Sequence, residues 1–187
     1  MATIRFDEFG PLHVGGLEIR KGGVDEAGVG LFTTIDRKVG DAMGFYAGNV
    51  KSEITKREQG FAIELPGYDL VVVPPMDAQG NVDFQNYPMA ASNEPGEGVE
   101  ANMVLVADRF YELNGKTYTV LAFYISRNVQ ANSEIFWFYG PLYKRNYEVG
   151  RPSTGDFDIQ TTIPRLTRLL THRPDAIFEV AELERLM

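Results

Sequence analysis

Ala131-Asn132-Ser133-Glu134-Ile135-Phe136-Trp137-Phe138-Tyr139-Gly140 is an acidic turn followed by a run dense in aromatics, closed by a tyrosine and a glycine. It reads as a strand over 134–138 that ends in a turn. A tyrosine at the end of a buried strand, freed by the glycine after it, is placed to carry its hydroxyl into a pocket. The preceding segment, Val120 to Val129, is a second apolar strand running into the first. Either strand alone fits any sheet protein, so the meaning of Tyr139 depends on what surrounds it.

Working outward, the region 17–140 is a series of short β-rich runs separated by turn signals. Strands are expected over 17–20, 30–33, 42–47, 61–65, 70–73, 103–107, 117–125 and 134–138. Asn114-Gly115 splits two long apolar runs and predicts a tight hairpin. Pro74-Pro75 ends a strand and opens a polar loop through Asp83, and residues 92–100 form a Gly/Glu/Pro loop. After Gly140 the pattern changes. Ile163, Leu166, Leu169 and Leu170 recur at helical spacing behind a first-turn Pro164, and a second helix is expected from near Pro174. Their apolar faces are expected to pack against the β body.

Composition narrows the chemistry. With 187 residues the chain can bury one sizeable core and is short for two. Its 44% apolar and 24% charged content is that of a soluble globular protein. There is no cysteine, which removes disulfides, thiolate zinc sites and a cysteine nucleophile. His13 and His172 lie at opposite ends of the chain, so no metal site is expected. No Gly-x-Ser-x-Gly elbow supports a serine triad. No signal peptide is recognised and no apolar stretch is long enough for a membrane span, so an intracellular protein is expected, nucleus or cytoplasm unresolved. The net charge of −8, with no basic run longer than Lys144-Arg145, argues against direct nucleic-acid binding and favours basic partners such as lysine-rich peptides.

Gly28-Val29-Gly30 lacks the third glycine of a dinucleotide fingerprint, since position 33 is Thr33, and it opens a strand rather than a helix. What remains is three segments in a fixed order. Gly28-Val29-Gly30-Leu31-Phe32 is followed by Phe45-Tyr46-Ala47-Gly48, then by Asn93-Glu94-Pro95 with Asn102, then by Arg127-Asn128-Val129 and Glu134 to Gly140. In that order the chain resembles the SET domain, the protein-lysine methyltransferase family, over about 17–143. Departures are Glu94, where the family has histidine, Ala90-Ala91-Ser92 in place of a segment that often holds arginine, and Phe138 in place of aspartate. The zinc-binding cysteine segments of many members are absent.

The resemblance implies an α+β, mostly β fold of small sheets around a knot-like crossing, with C-terminal helices. The domain would span 1–143, with 144–187 as a linker and helical extension packed on it. It implies S-adenosylmethionine as cofactor, held by Gly28, Val29, Gly30, Asn93 and Glu94, largely through backbone groups. The substrate would be a lysine-containing peptide or protein such as a histone tail, with Tyr139 catalytic and Tyr46, Tyr124 and Trp137 lining the lysine channel. Tyr143, Tyr147 and Phe157 are candidates to pack over the cofactor or channel. The alternative is a SET-like module that holds a peptide or protein without catalysis.

Overall fold

The computed structural model describes residues 15–23, 28–113, 115–154 and 175–187, with the backbone alone over 107–113. The expected helix over 163–170, Phe157 and both histidines lie outside the described residues.

The fold is mostly β, in three small antiparallel sheets with one α-helix among the described residues. β1 (Leu17–Lys21) pairs with β2 (Val29–Thr33). β3 (Ala42–Phe45), β8 (Lys116–Ile125) and β7 (Met103–Leu113) form the second sheet. β4 (Asn49–Lys51), β6 (Val71–Val73) and β5 (Ile63–Glu64) form the third, in that order. The expected hairpin is present: Leu113 pairs with Lys116, and Gly115 takes φ +75°, a value that suits glycine, while Asn114 lies outside the described residues.

β8 organises the core. Its apolar run is buried on both faces, as expected of a central strand. Side chains alternate along it, so Leu121, Phe123 and Ile125 enter the larger core with Met43, Tyr46, Met89, Met103 and Ile135. Val120, Ala122 and Tyr124 enter a smaller core with Ala42, Phe45, Ala47 and Ala176.

The C-terminal segment departs from expectation at its start. Residues after the turn at Asp175 first form β9 (Phe178–Glu179), which pairs with β8 through Thr119 and Tyr118. Helix α1 (Val180–Leu186) follows and buries Leu183 against the β body. The apolar Phe178 therefore works as a strand residue, and the helical period begins only beyond it.

The expected strand over 134–138 is not a regular strand. Its first half runs antiparallel to β2: Asn132 N donates to Thr33 O, Thr33 N to Ser133 O and Ile135 N to Leu31 O at 2.7 Å. Its second half runs parallel to two pieces of chain at once. Trp137 N donates to Asn93 O at 3.1 Å, while Phe136 O accepts from Asn102 N and Met103 N. The segment thus passes between the two ends of the 93–103 loop. Asn102 locks the crossing, its Nδ2 donating to Glu134 O and its Oδ1 accepting from Phe136 N. Its neighbours change every one or two residues, so an aromatic run of strand composition forms isolated bridges and no continuous ladder.

Candidate functional site

Two adjoining cavities, of about 450 and 480 Å³, are lined in part by residues next to this crossing. They share one wall, made of Gly60, Phe61, Ala90, Tyr139 and Tyr143. The first is otherwise lined by Tyr46, Met89, Leu105, Trp137 and Leu142, with Glu64 and Lys144 among the remaining lining residues. The second is lined by Val29, Phe84, Asn93, Glu94 and Tyr147, with Asn146 and Glu148. Both fall in the size range of small-molecule sites.

Tyr139 stands in the shared wall. Its hydroxyl donates to Ser92 O at 2.9 Å and its backbone N to Glu94 Oε1 at 2.8 Å. Its ring meets Trp137 at 4.8 Å and Tyr143 at 5.0 Å between centroids. Trp137 Nε1 donates to the same Ser92 carbonyl at 3.3 Å, and the indole packs edge-on against Phe123 at 5.1 Å. Burial pushes the Tyr139 phenol well above its ordinary range, and Tyr147, Tyr46 and Glu94 add to that. It is a neutral hydroxyl at physiological pH. Since its proton is directed at Ser92 O, its oxygen retains capacity to accept a hydrogen bond from the cavity side.

Tyr46 lines the first cavity from beneath. It is buried, its hydroxyl donates to Phe61 O at 2.5 Å, and desolvation drives its pKa upward. That bond holds the 59–61 turn, hence Gly60 and Phe61 of the shared wall. Tyr124 lines neither cavity. Strand parity sends it into the smaller core beside Ala42 and Ala122, opposite to Phe123.

Val29 lines the second cavity; Gly28 and Gly30 do not. Gly28 takes φ +76° with open space where a side chain would stand, the mark of a turn. Gly30 faces Glu134: a Cβ there would lie 2.8 Å from the carboxyl carbon and closer still to Oε1. The close approach that glycine permits is used by a buried carboxylate of this chain. Glu134 accepts from Gly23 N at 2.8 Å and Asn93 Nδ2 at 3.1 Å, and the same amide donates to Val29 O at 2.8 Å. Asn93 therefore spends its amide on fixing β2 against the crossing, and its cavity contact is what remains.

Glu94 borders the second cavity as a compensated charge. It is 4% exposed, and Arg145 forks onto it: Nε donates to Oε2 at 2.7 Å and Nη2 to Oε1 at 2.6 Å. Tyr147 donates to Oε2 at 2.9 Å, which fills the carboxylate. Arg145 Nη1 and Nη2 also reach Tyr143 O and Gly140 O, each at 2.7 Å, and the guanidinium covers the Phe138 ring at 5.0 Å. Hydrogen bonding to Glu94 raises the Arg145 pKa, so the guanidinium stays charged. Sequence reasoning treated Lys144-Arg145 only as a short basic run; the signal it passed over was a glutamate inside the motif, which needs a cation once buried.

Among the described residues, no group of three or more metal-binding side chains converges, and no helix is long and apolar enough to cross a membrane.

No protein-family model matches the sequence, and no curated protein matches it either. Solved structures similar to it, each at 14% identity, include KRYPTONITE in complex with mCHH DNA, an H3(1–15) peptide and SAH, with TM-score 0.43 over 66% of this chain and 23% of that one. A candidate histone methyltransferase of Plasmodium falciparum aligns at TM-score 0.44 over 68% of this chain and 96% of that one, also at 14% identity. The Chaetomium thermophilum polycomb repressive complex 2 aligns at 14% identity and TM-score 0.48 over 68% of this chain and 15% of its own. The chain spans less than a quarter of the KRYPTONITE chain it matches.

Proposed function

We propose that the protein transfers a methyl group from S-adenosylmethionine to a lysine side chain of a peptide or protein, with a histone tail as the first substrate to try. The observation that carries this reading is the pair of cavities meeting at Tyr139. In-line transfer needs donor and acceptor to approach one point from opposite sides, and two cavities that adjoin at Tyr139 support that reading.

The second cavity suits the cofactor. Phe61, Phe84, Tyr139, Tyr143 and Tyr147 offer aromatic faces to a nucleoside ring and a sulfonium charge. None of its lining residues is Lys or Arg, and Arg145 is committed to Glu94, so the carboxylate of the cofactor would be met by backbone amides. When bound, the cofactor supplies an electrophilic methyl on a positively charged sulfur.

The first cavity suits the lysine. A free lysine amine has a pKa near 10.4, and presenting it neutral at pH 7 costs about 4–5 kcal/mol. The apolar surfaces of Met89, Leu105, Trp137 and the Tyr46 ring favour the neutral form, because they withhold solvation from the ammonium. Tyr139 Oη would accept a hydrogen bond from the amine and hold its lone pair on line. Its raised pKa makes it an orienting group and removes it as a base. Trp137, tied to Ser92 O, sets the depth of the channel.

Labelled S-adenosylmethionine incubated with the protein and histone or lysate tests this directly, with calorimetric titration of S-adenosylhomocysteine as the binding arm. Tyr139→Phe is expected to lower turnover by about a hundredfold while changing cofactor affinity by less than about threefold. Absence of cofactor binding would overturn the reading. Cofactor binding without transfer would favour the non-catalytic peptide-holding module.

A further inference from the structure

We infer that Glu94 and Arg145 are a positioning pair whose task is to fix Tyr139 in the wall between the two cavities; this rests on the reading of Tyr139 given above. Tyr139 is held at both ends by the 92–94 segment, its hydroxyl by Ser92 O and its backbone N by Glu94 Oε1 at 2.8 Å. The residue after it is Gly140, at φ +102°, where the chain turns away from the crossing. A turn of that kind is free to swing unless its far side is tied. Arg145 ties it, taking Gly140 O and Tyr143 O at 2.7 Å each while its other donors hold Glu94.

The geometry explains why the residue is arginine. One planar fork meets two carboxylate oxygens and two backbone carbonyls at once, which an ammonium on a flexible stem cannot reproduce. It also explains the glutamate. Glu94 is the only side chain in this cluster that accepts from Tyr139 N, Arg145 and Tyr147 together, and so joins the 92–94 segment to the 139–147 tail. Both charges are removed from solvent, at 2% and 12% side-chain exposure, so the pair behaves as a fixed joint rather than a screened surface contact. In a chain without cysteine, this joint is what folds Tyr143 and Tyr147 over the second cavity.

The test is amide hydrogen exchange on the full chain, read at Tyr139, with turnover as a second arm. Arg145→Lys is chosen beside Arg145→Ala because it retains the charge and the fold. Both are expected to speed exchange at Tyr139 N–H by at least about tenfold while the Leu121 and Phe123 amides of β8 change by less than about threefold. Unchanged protection at Tyr139 in Arg145→Lys would overturn the inference, as would equal loss of protection in β8, which would mark a general structural role. In the turnover arm, Glu94→Gln should lower kcat by about thirtyfold in the native background and by less than about threefold when Tyr139 is already Phe. Fully multiplicative losses would overturn it. If the native protein transfers no methyl group, the function proposed above fails while the exchange arm still decides the role of the pair.

Discussion

Gly30→Ala is the substitution whose cost the structure defines most closely. Backbone strain is not the issue; the added methyl would enter the space of the Glu134 carboxylate, 2.8 Å from its carbon, with Gly22 Cα at 3.2 Å behind. The backbone on both sides is fixed by the β1–β2 ladder, so the carboxylate must move. It then loses its bonds from Gly23 N and Asn93 Nδ2. Hydrogen bonds to a charged acceptor contribute about 1.5–3 kcal/mol each, so the loss comes to about 3–6 kcal/mol. For a domain of this length that lowers Tm by about 6–24 °C. Glu134→Ala removes the same two bonds by another route and should cost about 2–4 kcal/mol. The double variant Gly30→Ala/Glu134→Ala is the decisive member, since the methyl then meets Gly22 Cα first, at 3.2 Å. Its destabilisation should match Glu134→Ala alone within about 1 kcal/mol, a non-additivity that thermal or urea unfolding resolves readily. Additive losses would refute the claim that Gly30 is required by Glu134.

Two further outcomes follow from the packing and charges. The Glu58 carboxyl is held down to about 2, first by its hydrogen bond from Lys51 and then by the Thr55 backbone. A depressed carboxylate contributes stability that is present above its ordinary pKa of 4.5 and lost as pH falls toward 2. An NMR titration should place its midpoint near the lower value, and Lys51→Ala should move it upward; an unmoved midpoint would refute the assigned cause. Leu183 is 2% exposed under β8 whereas Leu186 is 56% exposed on the same helix. Leu183→Ala should therefore cost about 2–4 kcal/mol and Leu186→Ala less than about 0.5, by urea unfolding.

The parts of this fold that were legible in the sequence are those governed by local rules. The Asn114-Gly115 turn, the apolar run of β8 and the placement of β1, β2 and β6 follow from turn chemistry and strand composition. What was not legible depends on contacts distant along the chain. Tyr124 and Phe123 are indistinguishable by composition, and only the neighbours of β8 decide which of the two cores each enters. The run from Glu134 to Tyr139 has strand composition, yet its partners are three separate segments, and that geometry belongs to the crossing. Gly30 invited a ligand reading because glycine in that position permits close approach; the occupant is a carboxylate more than a hundred residues later. Glu94 and Arg145 are 51 residues apart, and nothing in the spacing announces their pairing.

The crossing also separates two kinds of residue that the motif order had grouped together. Asn93, Asn102 and Ser92 direct side-chain bonds to backbone atoms of Val29, Glu134 and Ile135, so they hold the pieces that pass one another. Removing any of them leaves buried peptide groups without partners, a loss that appears in stability first and in activity only through the unfolded fraction. Trp137, Tyr139 and Tyr143 present rings to the cavities while their backbones are secured by others. Truncating their reactive or space-filling groups leaves the crossing intact, so the loss belongs in turnover or binding. Asn102→Ala and Tyr139→Phe are thus a matched pair. The first should lower Tm by several degrees, as expected for about 2 kcal/mol, with kcat per folded molecule little changed; the second should do the reverse. A large loss of kcat in folded Asn102→Ala would mean that the crossing transmits its geometry to the wall, and the division argued here would have to be abandoned.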